Sequence, residues 1–98
     1  MSDVLGAEVF LESRPRWARA KDERDAVSRQ FKFADFKTAW AFMSAVALKA
    51  EQMDHHPEWS NVYSTVDVVL TTHDAGGVTQ KDLDLATFMD ELASRLMD

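Results

Sequence analysis

Apolar and polar positions along the chain change period several times, and each change marks an element. Over residues 26–33, Val27, Phe31 and Phe33 fall on one side, while Ser28, Gln30 and Lys32 fall on the other. That period of two predicts a half-buried strand. The period then lengthens. Phe36, Ala39, Trp40, Met43, Val46, Ala47 and Ala50 recur at helical spacing and predict a helix over residues 35–53, with Asp35 as N-cap and an interior of good helix formers. Phe42, Ala45 and Leu48 flank this stripe and widen it beyond what one core needs. Either the helix is unusually well buried, or it also packs against another subunit; the shortness of the chain favours the second.

Residues 61–72 are rich in β-branched side chains, with Val66, Val68 and Leu70 alternating against Asp67, Val69 and Thr71. The run is long for one strand, so a bend near Ser64 and Thr65 is expected to divide it. Asp74, Ala75, Gly76 and Gly77 read as a turn. Thr79 then caps a last helix with Asp82 at the capping-box position, and Leu83, Leu85, Ala86, Met89, Leu92, Ala93 and Leu96 form its apolar side. The first 25 residues are the least regular. Residues 4–13 suit a short helix ended by Pro15, residues 17–21 an edge strand, and the charged run 21–25 a turn. Strands and helices in this order predict one two-layer α+β domain spanning residues 1–98.

Composition narrows the function classes. A chain of 98 residues buries only roughly 60–65% of its unfolded surface, which makes subunit association valuable. There are no cysteines, so neither a disulfide scaffold nor a thiolate site is available. A formal charge of −6 argues against direct nucleic-acid binding, since phosphate contacts need a basic face. No apolar run approaches the roughly 20 residues that span a bilayer, and the first residues lack the basic start of a secretory signal. A cytoplasmic protein is expected, with the nucleus open as well in a eukaryotic source.

Chemistry concentrates on the three histidines, His55, His56 and His73. Adjacent helical residues project about 100° apart, but Pro57 ends the helix and biases His56 towards an extended conformation. His55 is expected to stay on the helix while His56 turns off its end, so that both imidazoles point into one cleft. Glu51, one turn earlier, is expected to reach His55 on the same helical face. With the helix C-terminus it would favour a cationic His55 as proton donor beside a more neutral His73 as acceptor. Two other readings stand beside this one. Each histidine alone suits a helix end or a strand end without chemistry, and three imidazoles also make a candidate zinc set, although without the usual ligand spacing. Trp59 is either a stacking platform for a flat heterocycle or a core residue. Asp54 either contacts a ligand or caps the helix, and Asp82 needs no role beyond its capping box.

Taken in order, these segments carry a resemblance. Glu51-Gln52-Met53-Asp54-His55-His56-Pro57-Glu58-Trp59, then Asn61-Val62-Tyr63, then Thr71-Thr72-His73, then Asp82, resemble the signature of the pterin-4a-carbinolamine dehydratases. That signature runs from an acidic residue through His-His-Pro, an aromatic residue and a further His to a final Asp. Phe31-Lys32-Phe33-Ala34-Asp35-Phe36 and Val46-Ala47-Leu48-Lys49-Ala50-Glu51 look like the family too. The likeness covers roughly residues 24–92, with residues 1–23 matching poorly. It implies a four-stranded antiparallel sheet with helices on one face, assembled as a homodimer or homotetramer. It implies dehydration of 4a-hydroxytetrahydropterin to quinonoid dihydropterin, which recycles tetrahydrobiopterin, with the pterin as substrate and no metal or cofactor. By position it makes His55, His56 and His73 the catalytic set. Glu51, Asp54, Pro57, Trp59, Thr71 and Thr72 match pocket positions, and Asp82 matches the last acid, with a structural role the favoured one. Animal members also bind a dimeric homeodomain transcription factor, and such a partner enters here by family analogy alone.

Overall fold

The computed structural model describes residues 3–97. The elements follow in the order α1 (Ala7–Ser13), β1 (Ala18–Arg19), β2 (Val27–Lys32), α2 (Phe36–Met53), β3 (Glu58–Val62), β4 (Thr65–Leu70), a 3₁₀ turn (His73–Ala75) and α3 (Gln80–Leu96). The strands pair antiparallel in the order β1-β2-β4-β3, giving the expected α+β class with a four-stranded sheet. Register pairs Val27 with Leu70 and Phe31 with Val66, which puts the alternating apolar residues of β2 and β4 on one face. Ser28, Gln30 and Lys32 share the other face with Thr65, Asp67, Glu58 and Ser60.

The apolar face meets α2 and α3 in one core. Phe31, Phe42, Val46, Val66, Val68, Leu70, Leu85 and Met89 are fully buried there. Phe42 of α2 touches both strand aromatics, with ring centroids 4.8 Å from Phe31 and 5.0 Å from Phe33. Trp17 stands edge-on to Phe31 at 6.0 Å and to Phe10 of α1 at 5.6 Å, which extends the core under the N-terminal segment. One position on the apolar face carries charge. Arg29 pairs with Asp90 of α3 at 2.6 Å and lies 4.3 Å over the Phe31 ring, so its burial is compensated by a carboxylate and an aromatic face.

The inward arc of α2 differs from the predicted stripe. Ala39, Phe42, Val46 and Ala50 are buried, whereas Phe36, Trp40 and Leu48 are 47, 56 and 74% exposed, and Ala47 is exposed as well. Apolar residues occupy so much of this helix that periodicity does not choose which arc turns inward; contact with Phe31 and Phe33 chooses it. The run over residues 61–72 divides near Ser64 and Thr65 as expected, with the first strand starting earlier, at Glu58. Glu58–Val62 and Thr65–Leu70 form a hairpin whose two-residue loop is Tyr63-Ser64, with Tyr63 at φ 55°. The N-terminal helix begins at Ala7 rather than residue 4, because Val4 forms a β-bridge with Thr79, and the edge strand shortens to Ala18–Arg19. Among the described residues no helix is long and apolar enough to cross a membrane.

Asp25, in the turn before β2, ties the N-terminal segment to the loop before α3. Its carboxylate accepts the backbone N–H groups of Ala7 (3.0 Å) and Val78 (2.9 Å), and its carbonyl accepts the Thr71 hydroxyl at 2.8 Å. Burial alone would push this carboxyl up, but the N–H donors of Val78 and Ala7, with Arg19 nearby, outweigh it and hold it below its ordinary value. Gly77 packs directly against this carboxylate: a Cβ there would stand 2.7 Å from Asp25 Oδ2 and 3.1 Å from Val4. Two backbone donors, Ala7 N–H on Oδ1 and Val78 N–H on Oδ2, fix that carboxylate, so it cannot simply swing away. Gly77→Ala is therefore expected to destabilise the fold by about 1–3 kcal/mol, the cost of leaving such donors unsatisfied. Denaturant unfolding of the two proteins side by side measures it, and equal midpoints would refute it.

Candidate active site

Helix α2 stops where the sequence puts Asp54. That residue takes a left-handed conformation at φ 52°, its N–H donates to Ala50 O and Glu51 O, and the His55 N–H returns to Ala50 O at 3.0 Å. The helix thus ends in the αL turn that closes many helices, and His55 lies beyond it rather than on it. This corrects the expected geometry. With His55 carried past the last turn, Glu51 no longer faces it, and its carboxylate meets His56 Nε2 instead at 2.9 Å.

His55 turns inward to Asp82. The two side chains meet at 2.6 Å between Nε2 and Oδ1, the His55 side chain 9% exposed and that of Asp82 fully buried. A carboxylate only accepts, so Nε2 carries the proton. The other Asp82 oxygen accepts the Thr72 hydroxyl at 2.8 Å and the Thr79 N–H at 2.9 Å. Thr72 and Thr79 hydroxyls lie 2.8 Å apart, and Thr79 Oγ1 accepts the Lys81 N–H. Donors and acceptors close without a conflict: Thr79 donates to Thr72, and Thr72 donates to Asp82. The capping box at the start of α3 is present as expected, and the same carboxylate also holds a histidine. Nδ1 of His55 has no hydrogen-bond partner among the described residues.

His73 comes from the far end of β4, on the 3₁₀ turn. Its Nε2 donates to Glu58 at 3.0 Å, and its side chain is 72% exposed. Glu58 in turn receives Arg24 through both terminal nitrogens, at 2.6 and 3.0 Å. The Arg24 guanidinium, with His73 after it, holds the Glu58 carboxyl down at about 2, and the two carboxylates beside Arg24 raise the guanidinium further above its ordinary value. All three imidazoles therefore present Nε2–H to a carboxylate and leave Nδ1 without a protein partner among the described residues.

One depression of about 390 Å³ gathers most of these groups. His55, His56, His73, Asp54, Pro57, Thr71 and Thr72 all line it. Glu58, Lys81 and Asp74 line it as well, and none of these three stood out in the sequence. Two expected residues lie elsewhere. Glu51 reaches the rim only through His56, and Trp59 sits on the helix-covered face of β3, half-buried against the core, opposite Val68. Asp82 lies beneath the floor. Glu58 could have been found from strand alternation, since it precedes Trp59 and must face the other way; Arg24 was hidden inside a charged run that reads as a turn. A larger depression of about 530 Å³, lined by Arg14, Arg29 and Asp90, contains no histidine. Among the described residues no three His, Cys, Asp or Glu side chains are arranged to hold a metal ion.

Comparison with known proteins bears on the same surface. The family model described as pterin 4 alpha carbinolamine dehydratase matches residues 5–92, so the likeness extends into the N-terminal segment that matches the signature poorly. A protein of Rhodopseudomonas palustris (strain HaA2) named for pterin-4-alpha-carbinolamine dehydratase is 58% identical over 87% of this chain and 83% of its own. A Bordetella avium (strain 197N) protein of the same name is 54% identical over 93% of this chain and 83% of its own. The crystal structure of a transcriptional coactivator/pterin dehydratase from Brucella melitensis superposes with a TM-score of 0.83 at 46% identity, covering 88% of this chain and 90% of that one. A pterin dehydratase-like RuBisCO assembly factor of the alpha-carboxysome shares the fold, at a TM-score of 0.65 and 22% identity over 78% of this chain and 88% of that one. With the family model matched over residues 5–92 and relatives more than half identical across most of its length, this chain belongs to the pterin 4 alpha carbinolamine dehydratase family.

Proposed function

We propose that this member of a hydro-lyase family removes water from 4a-hydroxytetrahydropterin, giving quinonoid dihydropterin in the recycling of tetrahydrobiopterin. The reaction breaks the C4a–O bond, with the electron pair leaving on oxygen and an acid supplying the proton that makes it water. The N5 lone pair forms the new C4a=N5 bond as a base takes the N5 proton. One acid and one base placed around a flat heterocycle are what this asks of a protein. The observation that carries the reading is the convergence of His55, His56 and His73 on one depression, each with Nε2 already committed to a carboxylate. A carboxylate behind an imidazole fixes its tautomer and balances the charge that forms when Nδ1 takes up a proton. Thr71, Thr72, Asp54 and Pro57 bound the space in which the pterin ring would lie, and Glu58 and Lys81 add one charge of each sign.

Association of copies belongs to the same reading. Phe36 and Trp40 stack at 6.3 Å on α2, with Leu48 about two turns further along the helix, all three exposed. That apolar surface supports a homodimer or homotetramer built on α2. The Brucella relative is described as both coactivator and dehydratase, which keeps a transcription-factor partner as a second use of the same surface.

A spectrophotometric assay on freshly generated 4a-carbinolamine tests the activity: the pure protein is expected to accelerate dehydration with or without a chelator. No acceleration would sink the reading, and loss on chelation would point to a metal. His55→Ala and His73→Ala are expected to lower kcat more than His56→Ala, by roughly 10-fold or more, as loss of an acid or base does. Equal small losses in all three would show that they bind rather than transfer protons. Asp82→Asn is expected to lower kcat by about 10-fold or more with KM little changed, because it releases the His55 tautomer. Unchanged kcat would reduce Asp82 to a helix cap. Light scattering of Trp40→Glu should give a smaller mass than the parent, and equal masses would remove α2 as the association surface.

A further inference from the structure

Among the described residues, one of the three carboxylates that hold the site histidines is itself held by an arginine. Glu58 takes Arg24 Nη1 on Oε2 and Arg24 Nη2 on Oε1, and Oε2 also accepts from His73. On its other side Arg24 is fastened to Asp22, by Nη2 at 2.9 Å, Nε at 3.3 Å and its own backbone N–H at 2.9 Å. The chain Asp22–Arg24–Glu58–His73 joins the turn before β2, the start of β3 and the turn after β4. Arg24 and Glu58 are 34 residues apart, and Glu58 and His73 are 15 apart. In the sheet β4 lies between β2 and β3, so this fork bridges across a strand.

Such a chain adds little as a brace. Its ionic side chains are about 40% exposed, and pairs of that exposure are screened and contribute little to stability. What it supplies is direction. His73 sits on a three-residue turn, mostly exposed, and Glu58 is the one hydrogen-bond partner of its ring among the described residues. A ring so placed would sample both tautomers and several rotamers. A carboxylate fixed by a planar two-pronged guanidinium selects one of each. We propose that Glu58, clamped by Arg24, is the positioning residue of His73: it fixes the Nε2–H tautomer and turns Nδ1 towards the bound substrate. This rests on the reading of the depression as a dehydratase site. The equivalent task for His55 falls to Asp82, buried in the fold; for His73 it falls to a carboxylate at the rim, which needs the arginine because no core surrounds it.

Imidazole ¹⁵N–¹H correlation spectra read the tautomer, and steady-state kinetics read its consequence. In the parent protein His73 should appear as the Nε2–H form. In Glu58→Gln, whose amide can either donate or accept, the spectrum should become that of a mixture. Its kcat should fall by about 10-fold with KM within about twofold, the signature of lost orientation rather than lost binding. Arg24→Ala should give a smaller fall in the same direction, and Arg24→Lys should recover part of it. In a His73→Ala background Glu58→Gln should cost nothing further, since the two act as a unit. A mixed tautomer in the parent, or a Glu58→Gln protein with unchanged spectrum and kcat, overturns the proposal. If Glu58→Gln fails to fold, the two Arg24 variants carry the test. If the parent shows no dehydration at all, the function reading fails by itself, and the spectra still decide whether Glu58 sets the His73 ring.

Discussion

The Asp82 carboxylate is fully buried, and an ionised group in that position is tolerable only if every oxygen is answered. Three elements supply the answers: the N–H of Thr79 at the start of α3, the hydroxyl of Thr72 at the end of β4, and the imidazole of His55 from the loop after α2. None of these contacts is optional, because withdrawing any one leaves charge in a low-dielectric place. The helix cap, the strand end and the histidine loop are therefore locked by one group. The depression forms where they are locked, and its chemistry and its geometry have the same origin.

From this lock outward, the pairing of imidazole with carboxylate repeats at rising exposure. His55–Asp82 is buried; His73–Glu58 and His56–Glu51 lie at the surface. The same contact means different things at the two depths. Inside, the Coulombic attraction is little screened and the ring has nowhere else to go. Outside, water and salt compete, and orientation must come from additional contacts. His73 has such contacts through Glu58 and Arg24, while the exposed Glu51 has no second partner among the described residues to steady His56. The depression is thus graded from buried floor to exposed rim.

The sheet is arranged to the same end. Its helix-covered face packs into the aromatic core that runs from Phe10 through Trp17 and Phe31 to Phe42. Its open face is polar, with Gln30 bonded to Asp67 across β2 and β4. Part of the exposed apolar surface, Phe36, Trp40 and Leu48, lies on α2. Association of copies, as proposed above, would cover these side chains and add buried surface to a chain this short.

Residues within a few positions of one another determined a good deal of this by themselves. The alternation of Val27 and Phe31, the Asp35 cap and the Thr79–Asp82 capping box are local patterns, and each element formed where its pattern stood. The spacing of His55, His56, Pro57 and His73 likewise announced the family, because a signature is a property of the linear chain. Which carboxylate each histidine meets was not legible there. Asp54 adopts a left-handed turn that few side chains favour, and that single rotation sends His55 away from Glu51 and towards Asp82, 27 positions on. The inward arc of α2 and the fork from Arg24 to Glu58 were decided in the same way. They depend on which surfaces meet once the sheet and helices pack, and contacts between residues far apart in sequence leave no period for the sequence to display.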